Sequence, residues 1–252
     1  GGRAWRAAAE VAADARILLT SLPNAAALQA VAGELAAHAR AGTIVIETST
    51  LTLKDKLRAR RTLAARKSVL LDCPLSGTGA QARVGDLVVY ASGERAACRK
   101  AIPVLEGFAR ARHYLGAFGN GSRMKFVANL LVAIHNVSAA EAIVLGRKAG
   151  LDARTVVRVV GDGAGGSRML QVRGPMMAAR RYRPATMTVA MWKKDMKIIR
   201  DFAAGLGART PLFRASAPVY RAALAQGRGA DDTASVCAVL EKPSRTRRRR
   251  HG

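Results

Sequence analysis

Lys125 and Asn129 combine residue types with a spacing that could do chemistry. On a helix, at about 100° per residue, they share one stripe with Val132 and Asn136. The positions around this stripe are mostly apolar, which is typical of a buried helix, and an unpaired buried ammonium costs free energy. The residues themselves leave two interpretations open: a catalytic or binding lysine, or a lysine whose side chain extends from the start of the helix into water.

The helix that must position Lys125 is predicted to be long and to divide the chain in two. It follows Gly119 and Gly121, takes Ser122 as its expected N-cap, and ends at Gly150 after roughly seven turns. Beyond Gly121 only helices are predicted. After the long helix they occupy residues 152–160, 167–177, 189–206, 211–225 and 232–240.

The residues before this helix alternate between short apolar runs and helical patterns. Four strands are predicted, at residues 16–22, 43–47, 68–72 and 86–92. Helices are predicted between them, at residues 24–40, 53–67 and 94–107. This alternation predicts an α/β half with a parallel, doubly wound sheet, followed by the all-helical half. Ligands of such sheets lie beyond the carboxyl ends of the strands, which here carry Leu22, Pro23, Thr50 and the loop at residues 72–79.

Length and composition limit the possible classes. The 252 residues suit two modest domains, which we place at residues 1–120 and 121–242, with a basic tail at 243–252. The three cysteines are odd in number and far apart, and the four histidines are scattered, so we expect no disulfide framework and no metal site. This cysteine usage favours a reducing, cytoplasmic location. No apolar run approaches the roughly 20 residues of a membrane span, so we expect neither a membrane span nor a signal peptide.

The formal net charge of +25 comes from 42 Lys and Arg residues against 17 Asp and Glu residues. Such a charge permits a nucleic-acid binder. However, the arginines are spread along the chain, and aromatic residues, on which bases stack, make up only 4%. The dense block at Arg245 and residues 247–250 is expected to be a frayed tail that contacts phosphates non-specifically. Solvated surface charge is therefore the favoured interpretation, and nucleic acid is not an expected partner.

Two glycine patterns imitate a dinucleotide-binding loop. Residues 161–166 fit G-x-G-x-x-G, and residues 77–82 fit the variant with a final alanine. Such a loop needs a strand before it, a helix after it and an acidic residue about 20 positions on. The first pattern lies among predicted helices and has no Asp or Glu between Asp162 and Asp195, and Gly85 interrupts the helix that the second would need. We reject both patterns.

The segment D-C-P-L-S-G-T-G-A-Q-A-R-V-G-D-L, starting at Asp72, resembles the substrate-binding signature D-x-P-x-S-G-G-x-x-x-A-x-x-G-x-L of the β-hydroxyacid dehydrogenases. This family includes 3-hydroxyisobutyrate dehydrogenase, tartronate semialdehyde reductase and L-threonate dehydrogenase. The stretch from Gly119 to Asn129 matches its helix signature G-x-G-x-x-x-K-x-x-x-N, and W-K-K-D-M-K resembles its late K-D pair. R-I-L-L-T-S-L-P and I-V-I-E-T-S-T resemble two further landmarks in the family's order. Several motifs in that order, over nearly the whole chain, make the resemblance specific.

The resemblance implies a Rossmann-type fold, NAD or NADP as the cofactor, and a small hydroxy-carboxylate as the substrate. Hydride transfer at a carbinol carbon also moves a proton on or off its oxygen, and a lysine beside that oxygen can carry the proton. Lys125 is the implied catalytic residue. Asn129 and the loop of Ser76, Gly77 and Thr78 are implied to bind the substrate, the loop because hydroxyls and backbone N–H groups suit a carboxylate. By itself, this loop is more typical of an ordinary turn at the end of a strand.

The resemblance further assigns Leu22, Pro23 and Thr50 to cofactor contacts beyond the strand ends, and Lys194 to the nicotinamide side. Without the resemblance, Leu22 and Pro23 would be only a strand terminus, and Lys194 would belong to a solvated helix face. The resemblance also implies a homodimer or homotetramer, because the long helix and its successors form the dimer interface in the family.

The chain departs from the family pattern at its start. The family's first strand, G-x-G-x-x-G loop, helix and second strand, roughly 35 residues, have no counterpart before Arg16. We therefore expect an N-terminally truncated Rossmann-type sheet, with an exposed apolar edge at residues 17–22 and weakened dinucleotide binding. Thr78 stands where the family usually has glycine. This difference affects which acid is the substrate, and it leaves the predicted class of substrate unchanged.

The predicted function is that of an oxidoreductase of short-chain β-hydroxyacids, such as 3-hydroxyisobutyrate, glycerate or threonate, impaired by the loss of the nucleotide loop. The alternative is an inactive family remnant that serves as a scaffold or as a basic nucleic-acid-associated module. The joint presence of Lys125, Asn129, Ser76 and Lys194 favours the enzyme, because a chain freed from catalysis has no physical need for the set.

Overall fold

The computed structural model describes residues 4–241, and the predicted basic tail at 243–252 lies outside the described residues. The chain forms two compact units, of which the first ends at Ala128 and the second begins at Asn129. Both residues belong to one long helix, so the two units divide within it. The domain bounds at residues 120 and 121 stay a proposal.

The first unit contains a three-stranded parallel sheet. Its strands are β1 (Ile17–Thr20), β2 (Ile44–Glu47) and β3 (Val69–Asp72), in the order β1-β2-β3. The register sets Ile17 opposite Ile44 and Glu47 opposite Asp72, so the carboxyl ends of the strands lie at one edge. These strands are three of the apolar runs identified in the sequence, and the predicted parallel sheet is confirmed.

β1 lies at the edge of this sheet, since within residues 4–241 it pairs only with β2. Its Leu19 side chain is 46% exposed. The described part of the chain thus has the apolar edge that the sequence predicted. The unpaired backbone groups of such an edge can pair with another strand.

Helices lie on one face of this sheet, and a second sheet with a further helix packs on the other, as expected of a doubly wound fold. The helices on one face are α1 (Ala8–Asp14), α2 (Ala25–His38) and α3 (Leu53–Ala64). They share a core with Val45 and Leu70, whereas Ile46 and Leu71 enter a separate core on the other face. Both faces of β2 are therefore buried.

The second sheet was only partly predicted. It consists of β4 (Leu75–Ser76), antiparallel to β5 (Leu87–Ala91), and β6 (Ala109–Tyr114), parallel to β5. The connecting helices are α4 (Gly79–Arg83) and α5 (Arg95–Glu106). β5 and α5 follow the prediction, whereas β4, α4 and β6 do not. β6 reads A-R-A-R-H-Y and is largely exposed, so it lacks the apolar run that marks a buried strand.

The helix α6 (Asn120–Lys148) confirms the predicted long helix, but the N-cap assigned to Ser122 is wrong. Ser122 lies inside the first turn, two positions after the helix begins. Contrary to the expectation from its apolar runs, α6 is long and apolar enough to cross a membrane by length and composition. We give this little weight, because buried core helices meet the same criterion and Phe126, Ala133 and Ile143 are at most 2% exposed.

The second unit continues as a set of helices, as predicted. They are α7 (Ala153–Asp162), α8 (Arg168–Ala178), α9 (Val189–Gly205), α10 (Pro211–Ala225), a 3-10 turn (Thr233–Ser235) and α11 (Val236–Glu241). The glycine pattern at residues 161–166 begins in the last residues of helix α7 and no strand precedes it directly, which agrees with its rejection as a dinucleotide loop.

Candidate active site

Lys125 lies in the second turn of α6 and is 9% exposed. The residue is therefore mostly withdrawn from water, which argues against a side chain that extends freely into solvent. Asn129, one turn further on, is 4% exposed. Lysine is almost never fully buried unless it is paired. The burial of both polar side chains therefore speaks against a lysine that extends into water, and it is compatible with a binding or catalytic role.

The start of α6 is held by Asp72, at the carboxyl end of β3. One Asp72 carboxylate oxygen accepts the Ser122 backbone N–H at 2.7 Å, and the other accepts the Ser122 hydroxyl at 2.8 Å. The Gly121 N–H donates to the hydroxyl oxygen of Ser92, the residue after β5, at 2.9 Å. Side chains from other elements therefore satisfy two of the N–H groups that a helix leaves open at its start.

Gly121 makes this close approach of α6 possible. A Cβ atom at this position would lie 2.3 Å from the Tyr90 carbonyl oxygen and 2.6 Å from the Asp72 carbonyl oxygen. Both neighbours are backbone atoms of the sheet and cannot move aside as a flexible side chain would. The contact between α6 and the ends of β3 and β5 therefore requires glycine.

Asp72 also belongs to a buried charge cluster with Lys56 and Glu47. The Lys56 ammonium lies 2.7 Å from an Asp72 oxygen and 2.6 Å from a Glu47 oxygen, and all three side chains are fully buried. Burial by itself lowers the pKa of Lys56, but the facing carboxylates of Asp72 and Glu47 outweigh burial, and the pKa of Lys56 is raised. Lys56 therefore keeps its proton and serves as the counter-charge of two carboxylates.

The predicted carboxylate-binding loop directly follows β4. Ser76 ends β4 and is half-buried, Gly77 has φ of 126°, and Thr78 precedes α4. A Cβ atom on Gly77 would meet Leu87 Cδ2 at 2.5 Å, and a positive φ favours glycine. The Gln81 side-chain oxygen accepts the Thr78 N–H at 2.8 Å and also the Thr78 hydroxyl. The remaining donors of the loop are the Ser76 hydroxyl and the Gly77 N–H.

Predicted cofactor residues meet at the carboxyl ends of β1 and β2. The Leu22 N–H donates to the Ser49 hydroxyl oxygen at 2.7 Å. This bond joins the end of β1, with half-buried Leu22 and exposed Pro23, to the end of β2, with half-buried Thr50. The structure therefore places Leu22, Pro23 and Thr50 on one edge of the parallel sheet, where ligands of such sheets lie.

In the second unit, Asp195 joins two predicted site residues. The Asn129 amide nitrogen donates to one Asp195 oxygen at 3.0 Å, and the Lys194 ammonium lies 3.5 Å from the other. Asp195 is 5% exposed, whereas the Lys194 side chain is 40% exposed. Asn129 and Lys194, which are far apart in sequence, thus share one buried carboxylate.

Asn136, further along the stripe of α6, has a structural role. Its amide nitrogen donates to the Tyr220 hydroxyl at 3.1 Å and to the Thr233 carbonyl at 2.9 Å. The Tyr220 hydroxyl donates in turn to the Ala133 carbonyl at 3.1 Å, and burial raises the pKa of Tyr220 to about 12. This network connects α6 to α10 inside the second unit.

Sequence reasoning gave no role to Lys56, Asp72 or Ser92. For Lys56 a signal was present, because Lys56, Ala59 and Leu63 follow the i, i+3, i+7 spacing of a buried helix face. The basic residues around Lys56 concealed it. Asp72 opens the substrate-binding signature, but its contact with Ser122, fifty positions later, has no local sequence pattern. Within residues 4–241, no three His, Cys, Asp or Glu residues are grouped so that they could hold a metal ion.

Both halves of the chain match known protein families. Residues 119–240 match the family described as NAD-binding of NADP-dependent 3-hydroxyisobutyrate dehydrogenase. Residues 1–116 match the family described as NAD binding domain of 6-phosphogluconate dehydrogenase. Together the two matches cover the α/β half and the helical half.

Individual proteins are similar over most of the chain. L-threonate dehydrogenase of Pectobacterium atrosepticum is 32% identical over 208 residues, which are 82% of this chain and 68% of that protein. The chloroplastic glyoxylate/succinic semialdehyde reductase 2 of Arabidopsis thaliana is 29% identical over 78% of this chain, which spans only 54% of its length. The structure of Mycobacterium tuberculosis 3-hydroxyisobutyrate dehydrogenase with L-serine has a TM-score of 0.83 and 28% identity, covering 94% of this chain and 84% of that one.

Proposed function

Because this chain belongs to the β-hydroxyacid dehydrogenase family, we propose that it is an NAD(P)-dependent oxidoreductase of a short-chain β-hydroxyacid. The acids that we propose are 3-hydroxyisobutyrate, glycerate, threonate or a close analogue. The names of the similar proteins support this class, since they refer to threonate, 3-hydroxyisobutyrate, glyoxylate and succinic semialdehyde. All of these are small carboxylates.

The burial of Lys125 next to the secured start of α6 is the observation that carries the proposal. A lysine held out of bulk water on a rigid helix can exchange one proton with a bound ligand and is shielded from exchange with solvent. NAD(P), when bound, supplies the chemistry of accepting or donating a hydride at the carbinol carbon. Lys125 donates a proton to the substrate oxygen when a carbonyl is reduced, and accepts that proton when an alcohol is oxidised.

The substrate carboxylate is proposed to bind the donors that the Ser76 loop retains. These are the Ser76 hydroxyl and the Gly77 N–H, while Thr78 keeps the shape of the turn through Gln81. Asn129 is proposed to hold the substrate by hydrogen bonds. Because a carboxylate can only accept, Asp195 fixes the amide nitrogen of Asn129 towards itself and so orients the Asn129 oxygen as an acceptor for a hydroxyl.

Leu22, Pro23, Thr50 and Lys194 are proposed to contact the cofactor. Within the first unit, the two apolar side chains and the one hydroxyl at the ends of β1 and β2 suit part of NAD or NADP, so these residues fit the cofactor. The side chains of Asn24 and Thr52 cap α2 and α3, so at the start of each helix one N–H group is already bonded and is not offered to a phosphate.

We therefore propose that the 252-residue chain binds the dinucleotide weakly. The test is a fluorescence titration with NADH and with NADPH, with the L-threonate dehydrogenase relative as the positive control. We expect binding weaker than micromolar for both cofactors. A micromolar or tighter dissociation constant for either would contradict the proposal.

The function is tested by NAD- and NADP-dependent oxidation of 3-hydroxyisobutyrate, glycerate and threonate at millimolar cofactor. Lys125→Ala is expected to lower kcat by about a hundredfold or more, the usual contribution of a general acid/base. Lys148→Ala, at the exposed end of the same helix, is the matched control and should retain kcat. Activity that persists in Lys125→Ala would remove Lys125 from the mechanism.

We also propose that the protein is cytoplasmic and forms a homodimer or homotetramer. The three cysteines are buried with free thiols, which suits a reducing compartment. Exposed apolar residues on α6, among them Val127 and Leu131, support burial of this helix against a second copy. Light scattering coupled to size-exclusion chromatography measures the mass directly, and a monomer at micromolar concentration would contradict the assembly.

A further inference from the structure

We propose that Asp72 is a positioning residue for Lys125, and that Lys56 and Glu47 hold Asp72 in place for this task. The inference rests on the proposed role of Lys125. It adds the group that fixes the turn of α6 from which the Lys125 side chain projects. Asp72 does this through Ser122, whose N–H and hydroxyl it binds with separate oxygens. It is a structural aid to the catalytic lysine and has no part in proton transfer.

The connection from Asp72 to Lys125 is short. Ser122 and Lys125 are three positions apart and lie on the same side of α6. In a helix, the N–H of Lys125 bonds to the carbonyl of Gly121. The Gly121 N–H is held by Ser92, which itself donates to the Asp72 carbonyl at 3.1 Å. Asp72 therefore holds the backbone before Lys125 in two ways: directly at Ser122, and through Ser92 at Gly121.

Asp72 is immobilised from every side. Its backbone N–H and carbonyl pair with the Ser92 carbonyl and N–H at 2.9 and 2.8 Å. One carboxylate oxygen receives the Lys56 ammonium and the Ser122 hydroxyl, and the other receives the Ser122 N–H and, at 3.3 Å, the Ser92 hydroxyl. Three donors hold the carboxylate in one orientation, and the Ser92 hydroxyl adds a shared bond, because its single proton lies between the Asp72 carbonyl and this oxygen. Such charge-assisted bonds are the stronger kind of hydrogen bond.

Charge explains why a carboxylate is used and why it needs Lys56. The N-terminus of a helix carries a partial positive charge, and a nearby carboxylate stabilises it. Asp72 could not remain buried beside Glu47 without a cation, and the Lys56 ammonium, 2.7 and 2.6 Å from the two carboxylates, is that cation.

A merely structural role for Asp72 predicts a different result from a positioning role. If Asp72 only stabilised the first unit, its loss would loosen that unit uniformly. If it positions Lys125, its loss loosens the first turns of α6 and changes Lys125 while distant strands stay as protected as before. The experiment therefore compares local and distant sites in the full chain.

The variants are Asp72→Asn, Ser122→Ala and the control Asp86→Asn. Asp86 belongs to the same unit and pairs with Arg110 at its surface, so its loss removes a carboxylate away from α6. Amide hydrogen exchange is measured at Gly121 and Ser122 and across β1, which is not a neighbour of β3. In Asp72→Asn we expect exchange at Gly121 and Ser122 to rise about tenfold, and exchange in β1 to stay within about twofold. The control should change neither.

Acetylation with acetic anhydride, read by mass spectrometry, reports on Lys125 without any catalysis. The rate at Lys125 relative to the exposed Lys54 should rise by at least about threefold in Asp72→Asn and stay constant in Asp86→Asn. Unchanged exchange at Gly121 and Ser122, an unchanged acetylation ratio, or a uniform rise in exchange across the unit would each overturn the proposal. If Asp72→Asn does not fold, Ser122→Ala, which leaves the three buried charges intact, decides the question by the same readouts.

The activity measurement separates this inference from the proposed function. In an active chain, Asp72→Asn should lower kcat about tenfold while KM changes less than about twofold, because the substrate contacts remain. If the wild-type chain oxidises none of the hydroxyacids, the proposed function fails, while exchange and acetylation still decide whether Asp72 positions Lys125. If kcat is unaffected in a folded Asp72→Asn variant of an active chain, the positioning role is refuted.

Discussion

Two lysines of the first unit are withdrawn from water, but their surroundings suit different tasks. Lys56 is fully buried and faces two carboxylates, which raise its pKa and keep its proton in place. A lysine in this state cannot exchange a proton with a substrate. Lys125 keeps 9% of its surface exposed and lies on the helix that carries Asn129. The two facing carboxylates therefore give Lys56 a structural task, and the proposed proton transfer is assigned to Lys125.

At this scale we predict that Lys56→Met destabilises the protein strongly. The substitution keeps the length of the side chain but leaves Glu47 and Asp72 buried without a counter-charge. Removing one partner of a buried ion pair costs about 3–5 kcal/mol. Urea unfolding followed by circular dichroism gives the free energy of unfolding.

The control for this prediction is Lys54→Met, two positions earlier on an exposed site of α3. It should change the free energy of unfolding by less than about 0.5 kcal/mol. Equal losses in the two variants would mean that the buried charge cluster contributes nothing specific to stability.

Among the elements, α6 shows how far the sequence could lead. Its glycines and apolar pattern predicted a long buried helix, and Asn120–Lys148 agrees with this. Its cap could not be predicted, because Asp72 supplies it from fifty positions away and no local spacing encodes that contact. β4, with two residues, and the arginine-rich β6 were missed for a related reason. They are strands because they pair with β5, and neither has the apolar run by which a strand is predicted from sequence.

We predict that Gly121→Ala is strongly destabilising, because its Cβ would lie 2.3 Å from the Tyr90 carbonyl oxygen. Either α6 shifts from the sheet or the bonds of Ser122 to Asp72 break, at a cost of about 2–4 kcal/mol. Thermal unfolding is the measurement.

Gly33→Ala is the matched control, since Gly33 lies in α2 and a Cβ there meets nothing within 4 Å. Alanine is the better helix former, so this variant should gain up to about 1 kcal/mol. A Gly121→Ala protein as stable as the Gly33→Ala protein would show that α6 does not need the close approach.

In the second unit, Asp232 connects several elements, and its titration makes the stability of the fold depend on pH at low pH. It accepts hydrogen bonds from Arg173 at 3.0 Å, from the Thr186 N–H at 2.8 Å and from the Ala234 N–H at 2.9 Å. Burial by itself raises the pKa of Asp232, but Arg173 and these N–H donors outweigh it, and the pKa is lowered. The folded state therefore binds this proton less readily than the unfolded state.

Asp232 accordingly stabilises the fold above its unfolded pKa of about 3.9, and this contribution is lost as the pH falls through the lower folded value. We predict that Asp232→Asn lowers the free energy of unfolding by about 3 kcal/mol at pH 7. The difference between variant and wild type should shrink below about pH 4. Urea unfolding between pH 2.5 and 7 measures it, and a difference that is independent of pH would contradict the assignment.

At the scale of the whole molecule, the order of the helices and strands could be predicted from the sequence, but the boundary between the two units could not. Apolar runs that alternate with helical patterns predicted the parallel sheet. The lack of further apolar strand patterns after Gly121 predicted the helical half. The boundary of the compact units falls inside α6, between Ala128 and Asn129. A helix that belongs to two units has one continuous sequence pattern, so no composition change marks the place.

The net charge of +25 is a property of the whole chain and leads to the last prediction. Like charges on a compact protein repel one another, and salt screens this repulsion over a Debye length that falls from about 30 Å at 0.01 M to about 8 Å at 0.15 M. The buried pairs around Lys56 and Asp232 are much less affected by screening. Tm should therefore rise by several degrees when NaCl is raised from 10 to 150 mM.

A variant with glutamine at residues 247–250, which removes four of the positive charges, is the control and should show a smaller rise. A Tm that falls with added salt would mean that attractive surface pairs such as Arg110 with Asp86 outweigh the repulsion. In that case the excess of arginine would be a source of stability, and the assignment of the charge to solvated, self-repelling surface would have to be abandoned.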